Sequence, residues 1–194
     1  MGPFELKYSG GKLGSHSDLR AEPAAKRLRP KGTFKLGTWN VRSLNRPGTF
    51  QTLLDELTRY NVDITAIQET RWQGEGSIER GNYTFFYGGA EAHSFGTGFA
   101  VQRKVLPAIR DIRFISDRLS VIVLAGRWNR LVVINVHAPT EDTEDVVKDC
   151  FYEELDQLCD EFSSCDTKLI IGDFNAKIGK EEVFRPTIWE RKLA

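Results

Sequence analysis

Residues 34–68 pass from one apolar run to another through a helical periodicity, and that succession leaves few ways to fold. Residues 34–41 read as a strand, with Trp39 inside it and Asn40 near its end. Pro47 then opens a helix in which Phe50, Leu53, Leu54, Leu57 and Tyr60 recur on one face, and Asn61 stops it. Residues 62–68, β-branched and apolar, read as a second strand. Strand, helix and strand in this order suggest a βαβ-like unit. If its strands are parallel, Asn40 and Glu69 leave the sheet at the same edge.

The middle of the chain changes period. Residues 74–81 read as loop, and short strands follow at 83–87, 98–103, 109–115, 119–127 and 131–137, with Trp128-Asn129 as a tight hairpin turn between the last two. This section reads as antiparallel meander. Cap residues at 139–143 then lead into a long helix whose apolar stripe is Val146, Val147, Cys150, Phe151, Leu155, Leu158, Cys159 and Phe162. Cys150 and Cys159 are therefore expected in the core. The three cysteines (150, 159, 165) form no C-x-x-C and fit unpaired thiols. Ser163-Ser164 breaks the helix before Lys168-Leu169-Ile170-Ile171, a strand that runs straight into Gly172-Asp173-Phe174-Asn175-Ala176.

Formal charge sums to zero but is unevenly spread. Through residue 35 there are eight Lys or Arg against three Asp or Glu, so a basic leader precedes an acidic body. Residues 1–33 carry apolar side chains without period and are expected to be a disordered leader. Their cluster Lys26-Arg27-Leu28-Arg29-Pro30-Lys31 has the density of a polyanion-binding or nuclear-addressing segment, though a solvated leader has the same composition. The expected compartment is nuclear, otherwise cytoplasmic. No apolar run approaches the roughly 20 residues that span a bilayer, so no membrane is expected as a partner. Nor do residues 1–14 hold an apolar segment with a cleavage site.

Four strand ends carry polar groups that a core would not take: Asn40, Glu69, His137, and Asp173 with Asn175. Singly each has an ordinary explanation, since Asn and Asp shape turns and a histidine is often satisfied where it sits. Together they make one inventory. Glu69 and the Asn40 carbonyl offer oxygen to a hard divalent cation, and Mg²⁺ takes one or two protein carboxylates with water and phosphate completing its shell. Phosphoester hydrolysis suits that set, with Asn175 and His137 as donors and Asp173 positioning the nucleophile. Arg71 is placed to touch a nucleic-acid phosphate.

Thr38-Trp39-Asn40-Val41-Arg42-Ser43-Leu44, Gln68-Glu69-Thr70-Arg71-Trp72, Gly96-Thr97-Gly98-Phe99-Ala100-Val101, Asn135-Val136-His137-Ala138-Pro139-Thr140 and Gly172-Asp173-Phe174-Asn175-Ala176-Lys177 resemble the ordered motifs of the endonuclease/exonuclease/phosphatase superfamily. Within it the chain is most similar to the branch of LINE-type non-LTR retrotransposon endonuclease domains. The resemblance implies an α/β fold: a partial two-sheet αββα sandwich (DNase I-like) over 34–186, with C-terminal strands missing and a divergent tail at 187–194. It implies cleavage of a DNA phosphodiester with Mg²⁺, or Mn²⁺ in its place. Asn40 and Glu69 would take the metal side, while His137, Asp173 and Asn175 would act catalytically and Arg71 would bind DNA. Arg42 stands where repair endonucleases often carry an acid or amide, which argues against an abasic-site activity. The family's C-terminal Asp-His dyad has no counterpart here, since His16 and His93 lie elsewhere. Two other readings follow: a non-catalytic DNA- or chromatin-binding remnant, and a phosphomonoesterase or deadenylase. An incomplete second sheet would also call for a protein partner covering its apolar faces and edges.

Overall fold

A computed structural model describes residues 34–90 and 94–176. The leader with its basic cluster, His93, Lys177 and the tail at 187–194 lie outside the described residues. The elements run β1 (Leu36–Asn40), α1 (Thr49–Tyr60), β2 (Ile64–Gln68), β3 (Gly74–Arg80), β4 (Tyr83–Ala90), β5 (Thr97–Gln102), β6 (Ile109–Phe114), β7 (Leu119–Ala125), β8 (Arg130–His137), α2 (Asp145–Asp160) and β9 (Thr167–Asp173). They form two sheets, ordered β1-β2-β5-β4-β3 and β6-β7-β8-β9. β1 and β2 are parallel, as are β8 and β9. Each parallel pair is joined by a helix that covers the outer face of its own sheet, because a parallel return needs a crossover long enough to traverse the sheet.

The hydrophobic pattern explains the layering. On β2, Ile64 and Ala66 face the inter-sheet core with Phe99, Val101, Ile122, Leu124 and Val133. Ile67 faces outward onto α1, where Phe50, Leu53, Leu54 and Leu57 meet Tyr83 and Phe85. In the second sheet, Leu119, Val121, Val123, Val132, Ile134 and Val136 pack beneath Phe151, Leu155, Leu158 and Phe162. Strands buried on both faces read as continuous apolar runs, which is why β2, β7 and β8 stood out.

Several expectations change. The stretch read as loop at 74–81 is β3, paired with β4 and interrupted by a bulge between Gly74 and Gly76. Its only apolar residue beyond glycine is Ile78; as an edge strand it tolerates Glu75, Glu79 and Arg80, so no alternation betrayed it. Helix α1 begins at Thr49 with Gly48 as its cap, rather than at Pro47, and Tyr60 is exposed. Cys150 is exposed rather than in the core, and Cys159 is half-buried. Val146 and Cys150 are one turn apart on a line about 100° from that of Phe151 and Leu155, outside the face that meets the sheet. Val147 shares the buried line but lies in the first turn and stays exposed. The β7–β8 turn is four residues long, since Ala125 pairs with Arg130, and it leaves Trp128 in solvent. β1 and β9 are edge strands, and Trp39, Ile170 and Phe174 are exposed on or beside them. No helix among the described residues is long and apolar enough to cross a membrane.

Candidate active site

Register brings the polar strand ends together. Asn40 is opposite Gln68 at the end of the β1–β2 ladder, so Glu69 leaves β2 beside it. His137 is opposite Asp173 at the end of the β8–β9 ladder. That second alignment depends on Gly172, whose φ is +152° and whose place opposite Val136 leaves no room for a side chain: a Cβ would stand 1.9 Å from the Val136 carbonyl oxygen. Ala138 N–H then closes on the Asp173 carbonyl at 2.8 Å.

The two strand pairs meet through one amide. Asn40 Nδ2 donates to Glu69 Oε1 at 2.8 Å and to Asp173 Oδ2 at 2.8 Å, while its Oδ1 accepts Arg42 N–H at 2.9 Å. Two carboxylates from opposite sheets thus converge on a single nitrogen. Arg71 Nη2 reaches Glu69 Oε2 at 3.1 Å, and His137 Nε2 lies 3.6 Å from Glu69 Oε1. Asn175 braces Asp173, since its N–H donates to Asp173 Oδ1 at 3.0 Å and its Nδ2 to the Ala138 carbonyl at 2.7 Å. Beneath this layer, buried Gln68 donates to Asn135 Oδ1 at 2.7 Å and to Thr38 Oγ at 3.0 Å; Asn135 Nδ2 donates to the carbonyls of Ile67 and Gly98 at 3.0 and 3.1 Å. This network fastens β8 of one sheet to β2 and β5 of the other.

Protonation follows from these contacts. Burial pushes the Glu69 carboxyl upward, but hydrogen bonds from Asn40 and Arg71, with the Arg71 charge, outweigh it, so the acid sits below the ordinary carboxylate range and is ionised. Burial, then the Arg118 charge, hold the His137 imidazole below its ordinary value against the pull of Glu69, Asp173 and Asp117, so it is neutral at neutral pH. Its Nδ1 is buried with no hydrogen-bond partner among the described residues.

All six residues expected from the sequence are described, and they gather at one place. Two differ in detail from what the sequence suggested. Asn40 presents its nitrogen to the acids; a carbonyl ligand would require the amide to turn over, costing Arg42 N–H its acceptor. Asn175 spends one amide N–H on Ala138 instead of offering the whole group outward. Sequence reasoning passed over Arg118, whose guanidinium carbon stands 3.9 Å above the Phe95 ring and whose Nη1 donates to the His137 carbonyl at 3.1 Å. No local pattern marked it, because an Arg at a strand entrance is ordinary. Backbone conformation is a further signal absent from the sequence. Of the six non-glycine residues with positive φ among the described residues, Arg42, Glu69, Arg71, Phe95 and Asn175 belong to this site or its rim, and Asn61 caps a helix.

The donor set fits a hard cation. Among the described residues no three or more His, Cys, Asp or Glu are arranged so that they alone could hold a metal ion. One or two carboxylates are what Mg²⁺ uses, and Glu69, with Asp173 across the Asn40 amide nitrogen from it, supplies that number. Glu69, with Asp173 beside it, would hold the ion.

Helix-covered sheets packed face to face, with the acids, amides and imidazole at their strand exits, define the DNase I-like class of α/β sandwiches. The chain belongs to the endonuclease/exonuclease/phosphatase family, whose model matches residues 37–191. It is similar to craniofacial development protein 2 of Bos taurus and of Tragulus javanicus, each 35% identical over 154 residues and covered over 79% of this chain. The chain spans about a quarter of those relatives' length, 26% and 27%. Among solved structures, the endonuclease domain of TRAS1, a telomere-specific non-LTR retrotransposon, superposes with a TM-score of 0.52 at 14% identity, covering 75% of this chain and 61% of that one. TDP2 of D. rerio complexed with a single-strand DNA product gives a TM-score of 0.50 at 15% identity, covering 73% and 60%. At such identities these structures speak for the fold.

Proposed function

We propose that this chain hydrolyses DNA phosphodiesters with Mg²⁺, or Mn²⁺ in its place, as an endonuclease of the retrotransposon type. The observation that carries the reading is the Asn40 amide bridging Glu69 and Asp173, with neutral His137 at 3.6 Å from Glu69. When bound, a divalent cation supplies neutralisation of the charge that builds on the phosphorus oxygens. Around it Asp173, held by Asn40 and Asn175, accepts a hydrogen bond from the attacking water and orients it. His137, neutral and with one nitrogen protonated, donates to a phosphate oxygen, and the shielded site makes that bond stronger than it would be in water. Arg71 Nη2 donates to Glu69 Oε2 and so holds the acid, and the guanidinium fixed by that bond is the group that would touch a nucleic-acid phosphate.

The TRAS1 domain, which shares this fold, is itself an endonuclease domain, and that supports this choice over a phosphomonoesterase or deadenylase. Nicking of supercoiled plasmid tests it. Purified chain should convert supercoiled to open-circular DNA in Mg²⁺ and not in EDTA, and Glu69→Gln or Asp173→Asn should lower the rate by at least about a hundredfold. Folded protein that binds plasmid without nicking it, in Mg²⁺ and in Mn²⁺, would favour the binding remnant instead.

A further inference from the structure

Phe95 reaches three parts of the site through different groups. Its carbonyl accepts Arg71 N–H at 2.8 Å, and the adjoining Gly96 accepts Thr70 N–H at 3.1 Å and donates to the Asp117 carbonyl at 3.0 Å. These bonds tie the exit of β2 to the entrance of β7. The Phe95 ring lies 5.8 Å from the His137 ring and directly under Arg118, 3.9 Å from the guanidinium carbon. Such a residue is not ordinary core: it is only half-buried, and its φ of 55° is a conformation that bulky side chains rarely adopt.

Arg118 is pinned on two sides. The aromatic face attracts its charge, and Nη1 is bonded to the His137 carbonyl. No carboxylate among the described residues forms an ion pair with it, although Arg71 and Arg130 each have one and Arg113 has two. A guanidinium carries five N–H donors in a planar fork that matches phosphate oxygens, and the Nη1 bond uses only one of them. An unpaired cation held beside an acid-lined site has its natural counter-ion in an anionic ligand.

We infer that Phe95 is a positioning residue: it holds the Arg118 guanidinium beside His137 so that the remaining donors take a phosphate oxygen of the bound nucleic-acid backbone. This rests on the reading of the chain as a DNA phosphodiesterase. Phe95→Leu keeps apolar bulk but removes the π face, so Arg118 loses its platform while keeping its charge. Arg118→Lys keeps the charge and loses the planar fork, and serves where the Phe95 variant does not fold.

The assay is plasmid nicking with kcat and KM separated, together with anisotropy of a fluorescein-labelled 20-base-pair duplex over a salt series. Phe95→Leu and Arg118→Lys are each expected to raise KM on the order of tenfold with little change in kcat. Arg118→Ala should lower the slope of log affinity against log salt by about one. Adding Phe95→Leu to Arg118→Ala should change nothing more, because both remove the same contact. The inference is overturned, and the nuclease reading left standing, if wild type nicks DNA while Phe95→Leu retains wild-type KM and salt slope, or if the double variant multiplies the single effects. Wild type that neither nicks nor binds the duplex overturns both.

Discussion

Replacing Asn135 by leucine removes the fastener between the sheets while keeping a side chain of similar size. Asn135 is fully buried and makes three hydrogen bonds, none to a charged group: it accepts from Gln68 at 2.7 Å and donates to the Ile67 and Gly98 carbonyls at 3.0 and 3.1 Å. At about 1 kcal/mol net for each neutral bond, the loss is about 3 kcal/mol. Gln68 keeps Thr38 as an acceptor, which prevents a larger cost. For a domain of this size each kcal/mol moves Tm by about 2–4 °C, so the variant should melt about 6–12 °C below wild type. Urea unfolding with matched m-values measures the difference directly. Gln68→Leu should couple to it, with a double-mutant interaction of at least about 0.5 kcal/mol, because the two side chains share a bond. A loss below about 1 kcal/mol, or strict additivity of the two changes, would refute the claim that this network holds the sheets together.

Gly172→Ala forces a Cβ against the Val136 carbonyl, so β9 must shift; a stability loss of about 2–4 kcal/mol is expected, with the nicking rate falling as Asp173 leaves its place opposite His137. Leu155→Ala, beneath which the second sheet packs, should cost about 2–5 kcal/mol in urea unfolding, whereas Val146→Ser on the exposed side of the same helix should stay within about 0.5 kcal/mol. The Arg130 hydrogen bond holds Asp166 below the ordinary carboxylate range, so its stabilising contribution is complete above the unfolded-state value and is lost as pH falls through the folded one. The Tm gap between wild type and Asp166→Asn should therefore be widest near pH 7 and close at the acid end of a pH 7 to pH 2 melting series.

Local physics fixed most of the elements and named the site's members. Helical spacing of Phe50, Leu53, Leu54 and Leu57, followed by a β-branched run, suggests a crossover, and the parallel pairing of β1 with β2 then puts Asn40 and Glu69 at one edge. His137 and Asp173 likewise stood out as polar groups ending apolar strands. Weakly patterned edge structure did not show itself. β3 carries charge on an exposed face and so resembles a loop, and Cys150 has the spacing of a core residue but the wrong angle about its helix. What a single sequence cannot express is which groups of separate strands touch. That Asn40 turns its nitrogen toward both acids, that Asn175 braces Asp173, and that Phe95 carries Arg118 to the side of His137 are outcomes of two sheets closing face to face. Those contacts depend on register and on the buried Gln68–Asn135 bond, neither of which leaves a periodic trace along the chain.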